Sequence, residues 1–265
     1  MTFTPVIPLG GYAGWKVLQS TLDVQQTRFA EDPVQSRDRE YFRENIGAVS
    51  SAEDLVGDYR LLRVALGAFG LQDDLPNRAF VEKVLSDGVL DDDALSNKLA
   101  DKTYRAFAEA FGFGSPLPPL TQGPGFADKI LARFDEQAFE VAVGEQDTDM
   151  RLALEATREV PGIASADTSD TTAWLTVLGK PSLRQVFETA FALPSSIGTL
   201  DLDKQLDAFR GGAERVLGSS EFAALQDPTV VEDLVQAFTL QSQAAAGPSA
   251  LTRGASAVIL LQNLV

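Results

Sequence analysis

The sequence predicts an all-α protein, and three observations lead to this fold class. Apolar residues recur at intervals of about three and four positions, which is the period of an amphipathic helix. Capping residues and glycine or proline stops bound these periodic segments. No segment shows the alternation of apolar and polar residues that a half-buried strand requires. We therefore expect a protein of many helices and no strands.

The first half of the chain contains a series of short predicted helices. Pro33 suits the first turn of one helix, and Gly70 ends another. Ser50 and Glu53 have the spacing of a capping box, in which the two side chains satisfy each other's backbone amides. Asp101 caps a later helix. The apolar positions that define these helices are Trp15, Leu18, Leu22, Phe29, Tyr41, Phe42, Ile46, Leu55, Tyr59, Leu62, Leu66, Phe69, Phe80, Val84, Leu85, Leu95, Leu99, Tyr104, Phe107 and Phe111.

The second half has the same helical period. The helix around Leu152 is expected to end before Pro161, because proline cannot donate a helix hydrogen bond. Asp170 caps one later helix, Asp227 starts another, and residues 251–265 form a final one. The apolar positions are Phe126, Ile130, Phe134, Ala138, Val141, Met150, Leu152, Leu154, Trp174, Val177, Leu178, Leu183, Val186, Phe187, Ala190, Phe191, Leu202, Leu206, Phe209, Ala213, Val216, Leu217, Val231, Leu234, Val235 and Phe238.

Proline and glycine suggest how the chain is divided. Residues 1–14 are rich in both and are predicted to be a flexible N-terminal arm. Residues 115–125 form a predicted Pro/Gly-rich linker. The linker separates an N-terminal helical unit, residues 15–114, from a C-terminal helical unit, residues 126–265.

The two halves show a degenerate internal duplication. When the sequence is displaced by 122 residues, Phe69 aligns with Phe191 and Gly57 with Gly179. The alternative is a chance match between amphipathic helices, but the long register without a gap favours duplication. The further apolar pairs are Leu55 with Val177, Val56 with Leu178, Leu61 with Leu183, Val64 with Val186, Ala68 with Ala190, and Leu71 with Leu193.

Composition excludes several kinds of chemistry. The chain has 265 residues and no His or Cys, which removes Ser-His-Asp and Cys-His catalysis and most transition-metal sites. With 38 acidic and 22 basic residues, the net charge of −16 opposes binding to nucleic acid. Residues 1–14 lack the features of a signal peptide, and the longest apolar run, residues 257–261, is too short to span a membrane. We expect neither Sec export nor membrane insertion; the lack of Cys fits both the cytosol and export in an unfolded state.

The candidate chemical sites are weak. Residues 91–93, Asp147 and Asp149 could ligate a cation, but they also have the positions of helix caps and first-turn acids. Residues 179–182 resemble only the end of a phosphate loop, because the earlier glycine is replaced by Trp174. We therefore predict no catalytic, cofactor-binding or metal-ligating residue, no cofactor and no enzymatic activity. A hydrolase based on paired carboxylates is the disfavoured alternative.

The aromatic residues are mostly predicted to be core. Phe69, Phe107, Phe111, Phe134 and Phe191 lie on the apolar stripes of helices. Trp15 is either core or an anchor for a partner, because it follows the predicted arm. The final helix is either buried in its own unit or docks on another chain.

Several ordered motifs resemble those of a known family. They are YFRENIG at residues 41–47, AFGL at 68–71, FVEKVL at 80–85, LADKTY at 99–104, AFGF at 110–113, FEVAVGE at 139–145 and RLAL at 151–154. Over about residues 15–240 the chain resembles the bacterial domain-of-unknown-function family 1217. The resemblance implies a helical protein without assigned catalytic residues, whose genes are often found among flagellar genes. Two functions follow as expectations: a structural or interaction protein of the flagellum with a protein partner, or a cytoplasmic adaptor or export chaperone that binds partner helices.

Overall fold

A computed structural model of the chain describes residues 3–246. Within this range it contains thirteen α-helices and short 3-10 turns, and no strand, so the predicted all-α class is confirmed. None of these helices is long and apolar enough to cross a membrane. The helices are α1 (Gly11–Ala30), α2 (Pro33–Asn45), α3 (Ala52–Gly57), α4 (Tyr59–Gly67), α5 (Arg78–Asp87), α6 (Leu95–Lys98), α7 (Thr103–Phe111), α8 (Phe126–Gly144), α9 (Thr148–Ser165), α10 (Asp170–Leu178), α11 (Pro181–Ala190), α12 (Leu202–Leu217) and α13 (Pro228–Ala245).

The described chain divides into two compact units, and the division differs from the predicted one. The first unit contains residues 3–5 and Leu22–Ala142, and the second contains Val6–Thr21 and residues 143–246. The predicted linker, residues 115–125, therefore lies inside the first unit. Thr121 in this stretch is buried, and its hydroxyl donates to the Val49 carbonyl oxygen at 2.7 Å. Most of this stretch is exposed, and Thr121 attaches it to the rest of the unit.

The N-terminal residues also differ from the expected flexible arm. Helix α1 begins at Gly11, four residues before Trp15, and Pro5 is buried. Glycine is tolerated in this first turn because the first amides of a helix have no partner within the helix. Trp15 itself is 1% exposed, which excludes the interpretation of its ring as an exposed anchor. The predicted final helix, residues 251–265, lies outside the described residues.

The core of the first unit forms around α4. Five residues of this short helix are buried, and α2 and α3 pack against it. Helix α5 packs in turn on α3 and α7. Phe69, which follows α4, meets the Phe107 ring edge-on with the ring centres 5.2 Å apart. Burial of these apolar side chains is the main force that holds the helices together, because most of them are too short to be stable alone.

The core of the second unit forms around α9, α11 and α13, which pack against one another. Trp174 on α10 lies at the centre of an aromatic cluster in this unit. Its ring centre is 4.9 Å from that of Phe222, 5.7 Å from that of Phe187 and 6.4 Å from that of Phe209. These edge-on contacts suit the quadrupoles of aromatic rings.

Three predicted helix ends are corrected by the structure. Ser169 caps α10, one residue before the predicted Asp170, because its hydroxyl accepts from the Thr172 amide. The capping box exists one residue later than expected, between Ser51 and Asp54, because the Ser51 hydroxyl accepts from the Asp54 amide and Asp54 accepts from the Ser51 amide. Helix α9 continues through Pro161 to Ser165. The residues on both sides of Pro161, Val160 and Ala164, are buried, so tertiary packing outweighs the hydrogen bond that proline removes.

Candidate functional site

Two of the acidic residues considered as metal ligands, Asp91 and Asp147, bind backbone amides. Asp91 accepts a hydrogen bond from the Asp93 amide at 2.8 Å. Asp147 caps α9 by accepting from the amides of Asp149 at 3.0 Å and Met150 at 3.1 Å. Among residues 3–246, no group of three carboxylates is placed to hold a metal ion.

In residues 179–182, which resemble the end of a phosphate loop, the polar side chains bind other side chains of the protein. Lys180 forms an ion pair with Glu159, and its ammonium nitrogen lies 3.7 Å from a carboxylate oxygen of Glu155. The Ser182 hydroxyl donates to the same Glu155, which is only 7% exposed. The ammonium group of Lys180 and the hydroxyl of Ser182 therefore both serve the buried carboxylate of Glu155, as a buried charge requires.

A carboxylate on α13, Glu232, accepts four hydrogen bonds from the beginning of α1. The donors are the Tyr12 hydroxyl at 3.1 Å, the Trp15 indole at 3.3 Å, the Lys16 ammonium at 3.1 Å and the Gln19 amide at 3.1 Å. Burial alone would raise the pKa of Glu232, but the four hydrogen bonds outweigh it and lower this pKa. This arrangement fastens α1 to α13 within the second unit.

A polar cleft of 580 Å³ lies between α1, α2 and α8 in the first unit. Three carboxylates line it, those of Glu31, Asp135 and Glu136, together with the guanidinium of Arg39. Burial raises the pKa of Asp135, although Arg39, 3.3 Å away, acts in the opposite direction. The hydroxyl of Ser36 in the cleft donates to a backbone carbonyl oxygen, so it is not aligned with a base that could activate it.

The most exposed large apolar side chains of the described chain belong to two neighbouring loops of the first unit. Leu90 is 68% exposed and Leu117 is 72% exposed. The backbones of the two loops touch, because a Cβ atom built on Gly88 would lie 2.8 Å from the Gly114 Cα atom. Leu120, 52% exposed, follows on the second loop. We call Leu90, Leu117 and Leu120 the leucine surface.

Hydrogen bonds hold both loops of the leucine surface in place. The Ser96 hydroxyl donates to the Gly88 carbonyl oxygen, and the Asn97 amide donates to the carbonyl oxygens of Val89 at 3.0 Å and Asp91 at 2.8 Å. The second loop is fixed by the buried Thr121 described above. The leucines are thus presented by ordered backbone, so their exposure is a property of the fold.

Of the two loops, only the one that carries Leu90 contains charged residues. Asp91, Asp92 and Asp93 are all exposed, directly after Leu90. Lys98 pairs with Asp93 at 2.7 Å, but both side chains are more than half exposed, so this pair is strongly screened. Residues 112–125, which carry the other two leucines, contain no charged residue.

The apolar pattern of the sequence does not predict this surface. Leu117 and Leu120 stand in the Pro/Gly-rich stretch, outside any helical period, and Leu90 follows the end of a helix. A signal was nevertheless present, because Leu117 is a large apolar residue between two prolines, in a stretch that cannot continue a helix in which it would be buried.

The fold and this surface describe a helical protein that exposes an ordered apolar patch, and comparisons with known proteins place it in a family. A family model described as protein of unknown function (DUF1217) matches residues 68–231. The chain belongs to this family. No curated protein matches the chain.

A similar solved structure is the crystal structure of protein AGR_C_984 from Agrobacterium tumefaciens. The two sequences are 29% identical, and the TM-score is 0.73. The match covers 91% of this chain and 98% of the other. The likeness extends over nearly the whole of both chains and agrees with the helical architecture described above.

Proposed function

We propose that this chain is a non-enzymatic structural or interaction protein associated with the bacterial flagellum, and that it acts through a protein partner. The observation that carries the proposal is the leucine surface. Monomeric proteins rarely present large apolar side chains together on ordered loops unless something covers them. Covering one such leucine stabilises a complex by about 1.5–3 kcal/mol.

The use of the ionisable groups supports a binding role over a catalytic one. Glu155 and Glu232 bind partners on other elements of the second unit, and Asp147 caps its own helix. Catalytic acids and bases are instead commonly held with a perturbed pKa in a cleft beside a nucleophile. In the polar cleft, Asp135 has a raised pKa but faces Arg39, and the Ser36 hydroxyl is engaged by the backbone.

Membership of the family supports the link with the flagellum, since genes of this family are often found among flagellar genes. The charge of the chain supports a protein as the partner. A net charge of −16 opposes approach to the phosphates of nucleic acids, whereas it attracts basic protein surfaces.

Deletion and fractionation in the source bacterium test this function. We expect a strain lacking the gene to swim less far in soft agar, and the full chain supplied from a plasmid to restore swimming. In fractions of filament, basal body and cytoplasm, we expect the chain to accompany the filament or the basal body. The purified protein should show no hydrolysis of ester, phosphoester or glycoside substrates.

Three results would contradict the proposal or redirect it. Normal swimming of the deletion strain would remove the flagellar role. A chain found in the cytoplasm alone, in a strain that swims poorly without it, would favour the adaptor or export chaperone. Hydrolysis that disappears in Asp135→Asn would identify the polar cleft as an active site.

A further inference from the structure

The leucine surface has a defined chemical character. It combines three ordered, exposed leucines with the acidic side chains of residues 91–93. Asp92 takes no part in the ion pair between Asp93 and Lys98. Of the other basic residues close in sequence, Lys83 pairs with Asp87, and Lys102 donates to the carbonyl oxygens of Asn97 and Leu99. Exposed acidic side chains therefore directly follow Leu90, whereas the neighbouring loop with Leu117 and Leu120 carries no charge of its own.

We infer that the leucine surface binds a basic amphipathic helix of the partner protein, an inference that rests on the proposed function. Apolar residues at every third and fourth position of such a helix form a stripe that can cover the three leucines. Lysine or arginine residues beside the stripe meet residues 91–93, where charge complementarity sets the orientation and speeds association.

A second copy of this chain fits the surface less well. Each copy has a net charge of −16, so two copies repel each other. Symmetric pairing through the leucine surface would also bring residues 91–93 of both copies close to the same interface. A basic partner removes both costs, because it supplies the positive charge that this surface lacks.

A binding experiment with the full chain tests the inference. The probe is a fluorescent synthetic peptide of about 18 residues, long enough to form a helix, with leucines on one face and lysines beside them. A second peptide has glutamates in place of the lysines. In fluorescence anisotropy we expect the basic peptide to bind at least about tenfold more tightly than the acidic one, and its affinity to fall as salt is raised.

Matched variants locate the site on the leucine surface. Leu90→Ser combined with Leu117→Ser should weaken binding of the basic peptide about tenfold or more. Leu200→Ser combined with Leu202→Ser changes two leucines of the second unit that are 43% and 52% exposed, and should leave binding unchanged. Asp92→Asn should weaken binding about twofold to threefold. Circular dichroism shows whether each variant remains folded.

Each contrary result has a distinct meaning. Equal binding of the basic and acidic peptides, or equal loss in both double variants, would overturn the inference. The protein could instead form a dimer in solution that the Leu90→Ser, Leu117→Ser double variant converts to monomer. That result would identify a second copy of the chain, and not a partner helix, as the occupant of the leucine surface. If the chain still fractionates with the flagellum while no peptide binds, the inference fails and the proposed function stands. If the peptide binds and the deletion strain swims normally, the inference about the leucine surface stands and the proposed flagellar function fails.

Discussion

At the scale of single residues, Phe69 and Phe191 illustrate how the two units are anchored. Phe69 is 6% exposed and packs against two phenylalanines of α7, with ring centres 5.2 and 6.5 Å away. Phe191 is 2% exposed and meets the Phe187 ring at 5.5 Å. Each phenylalanine lies just after a short helix, and its ring is buried in the core of its unit.

We expect Phe69→Ala and Phe191→Ala each to lower the free energy of unfolding by about 3–5 kcal/mol, because truncation leaves a cavity that the surroundings fill only partly. Urea denaturation measures this change. Leu240→Ala, a change of a residue that is 48% exposed, is the control and should have little effect. Wild-type stability of either phenylalanine variant would exclude its role as a core anchor.

The turns after α4 and α11 have the same backbone hydrogen bonds but different residues at the critical position. The amide of Gly70 donates to the Gly67 carbonyl oxygen at 3.2 Å. In the same way, the amide of Ala192 donates to the Thr189 carbonyl oxygen at 3.0 Å. Both residues have positive φ, 71° at Gly70 and 50° at Ala192. Positive φ is costly for alanine because its Cβ atom crowds the backbone, and Ala192 is the one non-glycine residue with positive φ among the described residues.

We expect Ala192→Gly to raise the free energy of unfolding by about 0.5–1 kcal/mol, since relief of the strain exceeds the greater flexibility of glycine in the unfolded chain. The reverse change, Gly70→Ala, should lower it by about 1 kcal/mol. Both values come from denaturant titrations. A less stable Ala192→Gly protein would mean that unfolded-state entropy outweighs strain at this turn.

At the scale of elements, the attachment of α1 to α13 depends on one carboxylate. Glu232 has a lowered pKa, so the folded state favours its charged form. We expect Glu232→Gln to lower the free energy of unfolding by about 1–2 kcal/mol at pH 7, the range of a partly exposed charged hydrogen-bonding group. Titrations in urea at a series of pH values measure the difference.

The sign of the pH dependence follows from the lowered pKa. The contribution of Glu232 is fully present above the unfolded-state pKa of about 4.3 and is lost as the pH falls through the lower pKa of the folded state. The wild type and Glu232→Gln should therefore converge in acid. Glu221→Gln, at an exposed position of the same unit, is the control. A constant difference between wild type and Glu232→Gln at all pH values would exclude this explanation.

The start of α1 leads to another prediction at this scale. The Tyr12 hydroxyl and the buried Pro5 both lie within residues 1–14. We now expect removal of these residues to lower the thermal midpoint by several degrees, because the first turn of α1 and a hydrogen bond to Glu232 are lost. Calorimetry of the truncated chain tests this. An unchanged midpoint would restore the interpretation of these residues as a dispensable arm.

The helix pairs α3–α4 and α10–α11 agree with the predicted duplication, which stays a prediction. Helix α4 begins at Tyr59 and α11 at Pro181, 122 residues apart, and the same turn follows each pair. The polar features are not repeated: Asp58 caps α4 with its side chain, whereas Lys180 at the start of α11 forms no such cap. The buried positions correspond between these two helix pairs, for example Leu61 and Leu183, whereas the capping side chains do not.

At the scale of the whole molecule, the acidic composition raises the question of bound cations. We expect calcium, magnesium and EDTA each to leave the melting temperature unchanged within about 1 °C. A cation that bound only the folded chain would raise stability by about 2.7 kcal/mol at one hundred times its Kd. A calcium-dependent rise of several degrees, reversed by EDTA, would show that the acidic residues hold a metal after all.

The helical class could be predicted from the sequence because helix formation depends on neighbours three and four residues apart, which the sequence itself displays. The start of α2 at Pro33 and the end of α5 before Gly88 are local in this sense. The path of α9 through Pro161 was not predictable in this way. It depends on what packs around Val160 and Ala164, and no local rule contains that information.

The sequence by itself therefore determined the helices, the apolar stripes that become the two cores, and the absence of His and Cys chemistry. Only the tertiary structure decided that residues 115–125 belong to the first unit, that Trp15 is buried and that Leu90 and Leu117 are exposed on neighbouring loops. The physical reason is the range of the interactions. A stripe of apolar residues arises within one helix, whereas burial or exposure of a loop side chain depends on backbone that is distant in sequence, such as the close approach of Gly88 to Gly114.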